Sequence, residues 1–150
     1  MVDVGEKAPT VREAKATALL RMNPTTMDKI LAGQIQKGEV FSVARLAGIM
    51  AAKRTSELIP LCHPLPLDVI QVDLEPRASG ELEVRTYVKV EAKTGVEMEA
   101  LVAAAIAALT VYDMCKAVDR EMEIASLYLE EKKGGRSGTF RRSRTKSPSR

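Results

Sequence analysis

From residue 13 to 20 small apolar and polar residues alternate, with Ala14, Ala16, Ala18 and Leu20 on one side and Glu13, Lys15 and Thr17 on the other. A period of two predicts a strand, although so much alanine suits a helix nearly as well. Asn23-Pro24-Thr25-Thr26 is a helix-start cluster, followed by Met27, Ile30 and Leu31 at helical spacing and stopped near Gly33. A second helix is expected from about Glu39 to Leu58, with Val43, Leu46, Ala47 and Met50 as its apolar stripe and Pro60 ending it. The period then returns to two. Ile70, Val72 and Leu74 alternate with Gln71, Asp73 and Glu75, and Leu82, Val84, Thr86, Val88 and Val90 alternate with Glu83, Arg85, Tyr87 and Lys89. Pro76 to Gly80 between them reads as a hairpin connection. From about Val96 to Asp119 a long alanine-rich helix is apolar nearly all round, which predicts deep burial or a place in a subunit interface. A last strand runs from Met122 to about Glu130.

The order strand, two helices, strand, strand, helix, strand is a βαββαβ plan with one extra helix. It predicts an α+β fold, a ferredoxin-like sandwich of helices on an antiparallel sheet polar on its open face. That architecture hosts many unrelated activities and decides none.

Composition sharpens the picture. Trp is absent and aromatics make up 3% of the chain, so the core must be aliphatic. No apolar run reaches the ~18 uninterrupted residues of a membrane span, and the start lacks the apolar stretch of a secretory signal. Cys62 and Cys115 are isolated thiols, which fits a reduced, cytoplasmic protein. Two cysteines and one histidine fall short of a structural zinc set. The net charge of +3 divides unevenly. Five of the 23 basic residues lie in the last twelve positions, leaving 18 against 20 acidic residues and a net −2 for residues 1–138. The expectation is one catalytic domain over 1–138 and a disordered basic tail over 139–150.

Four segments carry side chains that packing does not require. Leu61-Cys62-His63-Pro64, between Pro60 and Pro66, presents the only imidazole on a stiff backbone, suited to proton transfer or recognition. Lys53-Arg54 ends a helix, where cations are expected anyway; with Arg12, Lys37, Lys132, Lys133 and Arg136 they would make a cradle for a polyanion. The loop 134–138 is rich in glycine but lacks P-loop spacing. Glu97-Met98-Glu99 opens the long helix, and acids there also serve the helix dipole. Asp113 and Lys116 lie one turn apart within that apolar helix. A buried pair stabilises little, so its retention points to chemistry. Glu99 and Asp113 are fourteen residues apart, roughly 21 Å at ~1.5 Å per residue. If both act on one small ligand, two chains share each site.

The segments KRTSELIPLCHPLPL, KTGVEMEALVAAAIAALTVYDMCKAVD and KKGGRSG closely resemble the MoaC family, and the similarity runs from about Met1 to Phe140. The resemblance implies a ferredoxin-like subunit in a hexamer of three dimers, with sites at subunit interfaces. It implies conversion of 3′,8-cyclo-7,8-dihydroguanosine 5′-triphosphate, supplied by a radical S-adenosylmethionine enzyme, into cyclic pyranopterin monophosphate and pyrophosphate. No obligatory cofactor is implied, although Mg²⁺ can accompany a triphosphate. By matching position, Asp113 and Lys116 resemble the central acid–base pair and Lys37 a further catalytic residue. Leu61, Cys62, His63, Glu97, Met98 and Glu99 would hold the base and sugar. Arg12, Lys53, Arg54 and Lys132 would hold the triphosphate. A nucleotide-sensing domain without turnover and an RNA-binding module are the rival classes. The strands lack the exposed aromatics that stack bases, which weighs against the second.

Overall fold

A computed structural model describes residues 1–143. The elements are β1 (Thr10–Arg21), α1 (Pro24–Leu31), α2 (Val40–Lys53), α3 (Thr55–Leu58), β2 (Val69–Arg77), β3 (Glu81–Ala92), α4 (Glu97–Cys115), β4 (Glu123–Lys133) and β5 (Phe140–Arg141). The strands form one antiparallel sheet in the order β2-β3-β1-β4-β5, the ferredoxin-like plan with an added edge. β1 is a strand despite its alanines because ladders on both sides satisfy its backbone. Ala14, Ala16, Ala18 and Leu20 are buried on its inner face, against Leu82, Val84, Val88 and Val90 of β3.

α4 lies across that apolar face and packs beside α2. Ala100, Ala103, Ala104, Ala107 and Ala108 are fully buried. Their small size lets backbones approach closely, and Gly48 of α2 marks the tightest point. A Cβ there would lie 2.9 Å from the Ala103 carbonyl and 3.2 Å from Ala107 Cβ. This close approach corrects the expected stripe on α2. Its core-facing residues are Val40, Ala44, Gly48, Ala51 and Ala52, whereas Val43, Leu46 and Met50 are exposed. The bulky residues would hold the helices apart, so the smaller face turns inward. The expected single helix over Glu39–Leu58 also breaks at Arg54 (φ −114°, ψ 16°).

α4 ends at Cys115 rather than Asp119, and Leu109 stays half exposed, so within one chain the helix is not buried all round. By length and composition it would cross a membrane, yet more than half of it is buried inside the fold. β4 continues to Lys133, and Phe140 and Arg141 pair with Lys132 and Glu131 as β5. A strand therefore stands at the start of the expected tail; residues 144–150 lie outside the described residues.

Candidate active site

The two ends of α4 hold different chemistry. At its C-terminal end, Asp113 is clasped by two lysines. Lys37 Nζ donates to Asp113 Oδ2 at 2.6 Å and to the Asp113 carbonyl at 3.1 Å, while Lys116 Nζ lies 2.9 Å from Oδ1. Lys37 arrives on the connection from α1 to α2, which buried Ile35 anchors and which turns through Gly38 at φ 108°. Hydrogen bonds from Lys37 and then Lys116 hold the Asp113 carboxyl down at about 2. It is a permanent anion that fixes two ammonium groups side by side. The expected burial of this pair is corrected: the side chains of Asp113 and Lys116 are 54% and 53% exposed, because the helix is in its last turn there.

At the opposite end, the segment Leu61–Leu65 and the turn Thr94–Glu99 enclose a cavity of about 320 Å³. Prolines 60, 64 and 66 stiffen one wall, and the first turn of α4 forms the other. Glu99 is 4% exposed. Burial, with a smaller push from the Glu97 charge, raises its carboxyl to about 7. Burial and the charge of Glu99 likewise raise the Cys62 thiol. The expected grouping of Leu61, Cys62, His63, Glu97, Met98 and Glu99 is thus one cavity, although the two segments lie more than 30 residues apart in the chain.

A prediction follows from the Glu99 carboxyl. Between its ordinary 4.5 and about 7 the unfolded chain has released a proton that the folded chain keeps. Stability is therefore highest below that window and falls as pH rises through it, by about 3 kcal/mol in all. Glu99→Gln should match the wild type near pH 4.5 and exceed it by about 2–3 kcal/mol at pH 8. Urea unfolding at the two pH values checks this, and an equal difference at both would contradict it.

The basic residues do not all converge. Arg12 sits at the start of β1 and donates from Nη2 to the Lys93 carbonyl at 3.3 Å, just before the turn that lines the Glu99 cavity. Beside it lies the loop Gly134–Gly138, where Arg136 and Ser137 face a second hollow and Lys132 Nζ contacts Ser137 Oγ. Gly134 (φ 94°) and Gly135 (φ 78°) must be glycine, since a Cβ on either would strike the Val11 carbonyl or the Arg12 guanidinium. Lys53 and Arg54 stand apart at the end of α2, and Arg54 pairs with Glu57 at 3.0 Å. They line neither of these cavities. Lys7 also lines the second hollow and was not legible from the sequence, because it belongs to no periodic segment. Among the described residues no group of three or more His, Cys, Asp or Glu is placed to hold a metal ion.

The pattern described as the MoaC family matches residues 1–135. A protein of Mycobacterium tuberculosis (strain ATCC 25618 / H37Rv) named cyclic pyranopterin monophosphate synthase 3 is 56% identical over 142 residues, covering 95% of this chain and 80% of its own length. Cyclic pyranopterin monophosphate synthase 1 of Mycobacterium bovis is 54% identical over 143 residues, 95% of this chain and 84% of its own. A cyclic pyranopterin monophosphate synthase of Herpetosiphon aurantiacus is 53% identical over 141 residues, 93% of this chain and 86% of its own.

Proposed function

The chain belongs to the MoaC family, and from that premise we infer that it acts as a cyclic pyranopterin monophosphate synthase in molybdenum cofactor biosynthesis. Its substrate on this reading is 3′,8-cyclo-7,8-dihydroguanosine 5′-triphosphate, and its products are cyclic pyranopterin monophosphate and pyrophosphate. The observation that carries the reading is the Lys37–Asp113–Lys116 cluster. Opening the purine-derived ring and reclosing it as a pterin needs protons delivered and removed at defined nitrogens and oxygens. Two ammonium groups fixed on one carboxylate are placed to do this. Asp113, held as an anion by hydrogen bonds from Lys37 and Lys116, orients them and completes the acid–base group.

Loss of pyrophosphate is a separate step. A substrate hydroxyl attacks the α-phosphorus and gives its proton to solvent or base. The bond to the bridging oxygen breaks, and that oxygen keeps the electron pair. Cations of Arg12, Lys132 and Arg136 lie around the neighbouring hollow and its loop, where they would stabilise the charge as it develops. Cys62, His63 and Glu97–Glu99 would hold the base and sugar in the adjoining cavity. Substrate and products stand at the same oxidation level, so the reaction needs no redox cofactor. Any Mg²⁺ would ride on phosphate oxygens and water rather than on a protein cage. Lys53 and Arg54, which line neither cavity of one chain, would reach the triphosphate only from a neighbouring chain.

The lysine cluster and the Glu99 cavity lie about 21 Å apart along α4, so a working site needs both ends from different chains. We therefore propose a homo-oligomer, a hexamer of three dimers, in the cytoplasm. The exposed side chains of Val43, Leu46, Met50, Leu58 and Leu109 give it apolar surface to bury. A radical S-adenosylmethionine enzyme would supply the substrate. Incubating the purified protein with the cyclic triphosphate tests the function. Stoichiometric pyrophosphate and a pterin phosphate are expected, and binding without turnover would favour a nucleotide sensor instead.

A further inference from the structure

The lysine cluster is assembled from two segments 76 residues apart in the chain. Asp113 and Lys116 stand at the end of α4, and Lys37 on the connection from α1 to α2. A lysine ammonium sits on a flexible stem, so its place depends on where the backbone beneath it is held.

Asp119, three residues beyond Lys116, is bonded to the start of α1. Its Oδ2 accepts from the Asn23 N–H at 2.9 Å and from the Thr26 hydroxyl at 3.0 Å. Its Oδ1 accepts from the Glu121 N–H at 3.1 Å. Burial pushes this carboxyl up, but the three donors outweigh it and hold Asp119 below the usual carboxylate range. Capping α1 does not by itself require these bonds. Asn23 already caps the helix, its Oδ1 accepting from the Thr25 N–H at 3.1 Å. The Asp119 bonds do something further, tying α1 to the turn that leaves α4.

That turn is fixed in its own right. The N–H groups of Val118 and Asp119 both donate to the carbonyl of fully buried Cys115, and the Tyr112 hydroxyl donates to the Arg120 carbonyl at 3.2 Å. On the other side, α1 carries the hold towards the lysine. Its residues Met27 and Ile30 lie in the core. Beyond it the Gln34 N–H donates to the Lys29 carbonyl at 2.9 Å, and the Gly38 N–H to the carbonyl of buried Ile35 at 3.0 Å. Lys37 thus stands at one end of a stiff arm that Asp119 grips at the other.

We propose that Asp119 is a positioning residue for catalysis, which acts through α1 to hold Lys37 against Asp113. It touches no reacting atom. The proposal rests on the acid–base reading of the lysine cluster given above. Displacing a reacting group by about 1 Å costs up to about a hundredfold in rate.

The full chain is tested with substrate and without it. With the cyclic triphosphate, Asp119→Ala should lower kcat about ten- to a hundredfold and change KM little. Asp119→Asn keeps an oxygen for Asn23 and Thr26 and should recover most of the rate. Thr26→Val, which removes one donor and keeps the core filled, should lower kcat in the same direction. In a Lys37→Ala chain, adding Asp119→Ala should cost less than about twofold more, since no ammonium is left to place. In the free protein, carbon-13 NMR should show the Asp113 carboxyl of Asp119→Ala titrating above about 2, towards its ordinary 3.8. Wild-type kcat or an unmoved Asp113 titration in Asp119→Ala overturns the proposal, as does an equal loss of rate with and without Lys37. A raised Asp113 titration in Asp119→Ala, together with a wild type that does not turn over the cyclic triphosphate, overturns the function and leaves the link from Asp119 to Lys37 standing.

Discussion

Lys116→Ala should lower product formation by about a thousandfold or more, within the range lost when a positioned proton donor is removed. Lys37→Ala and Asp113→Asn should do the same, for different reasons. Each lysine variant removes one of two ammonium groups held within 3 Å of the same carboxylate. Asp113→Asn leaves both lysines in the chain but takes away the charge that fixes them. The fold should survive all three. The side chains are about half exposed, and exposed ion pairs contribute little to stability. Pyrophosphate release and pterin formation measure the loss, while circular dichroism and size-exclusion chromatography check fold and assembly. Turnover at the wild-type rate in any of the three would remove that residue from the site.

The strands were legible where polar and apolar residues alternate, because β1, β2 and β3 each bury one face against helices and leave the other open. The direction of α2 was not. Both of its sides are apolar, and period alone cannot say which is inside. Close packing against α4 selects Ala44, Gly48 and Ala51 over Leu46 and Met50, a choice made by a neighbour nearly 60 residues away. β5 escaped notice because two paired residues carry no period. In the site, the prolines around His63 and the acids opening α4 marked the cavity they share. Asp113 looked buried because its neighbours in sequence are apolar, whereas the helix stops two residues later. Its contact with Lys37 spans 76 residues, and no spacing rule reaches that far. Charge alone placed that lysine in a polyanion cradle, and only resemblance made it catalytic.

Two inactive variants should restore activity to each other when they share an oligomer. Asp113→Asn disables the lysine cluster, and Glu99→Gln disables the cavity at the other end of α4. The two positions are about 21 Å apart in one chain, too far for one small substrate to bridge. Suppose each site takes its lysine cluster from one chain and its cavity from a partner related by twofold symmetry. A mixed dimer then has one site with both defects and one with none. Random exchange of equal amounts should therefore recover about a quarter of the wild-type rate, while each variant alone stays inactive. The measurement is pyrophosphate release after exchange, with native mass spectrometry confirming that mixed oligomers have formed. Recovery near a quarter is the result this account predicts. Mixed oligomers that remain as inactive as either parent would contradict it and place the whole reaction within a single chain.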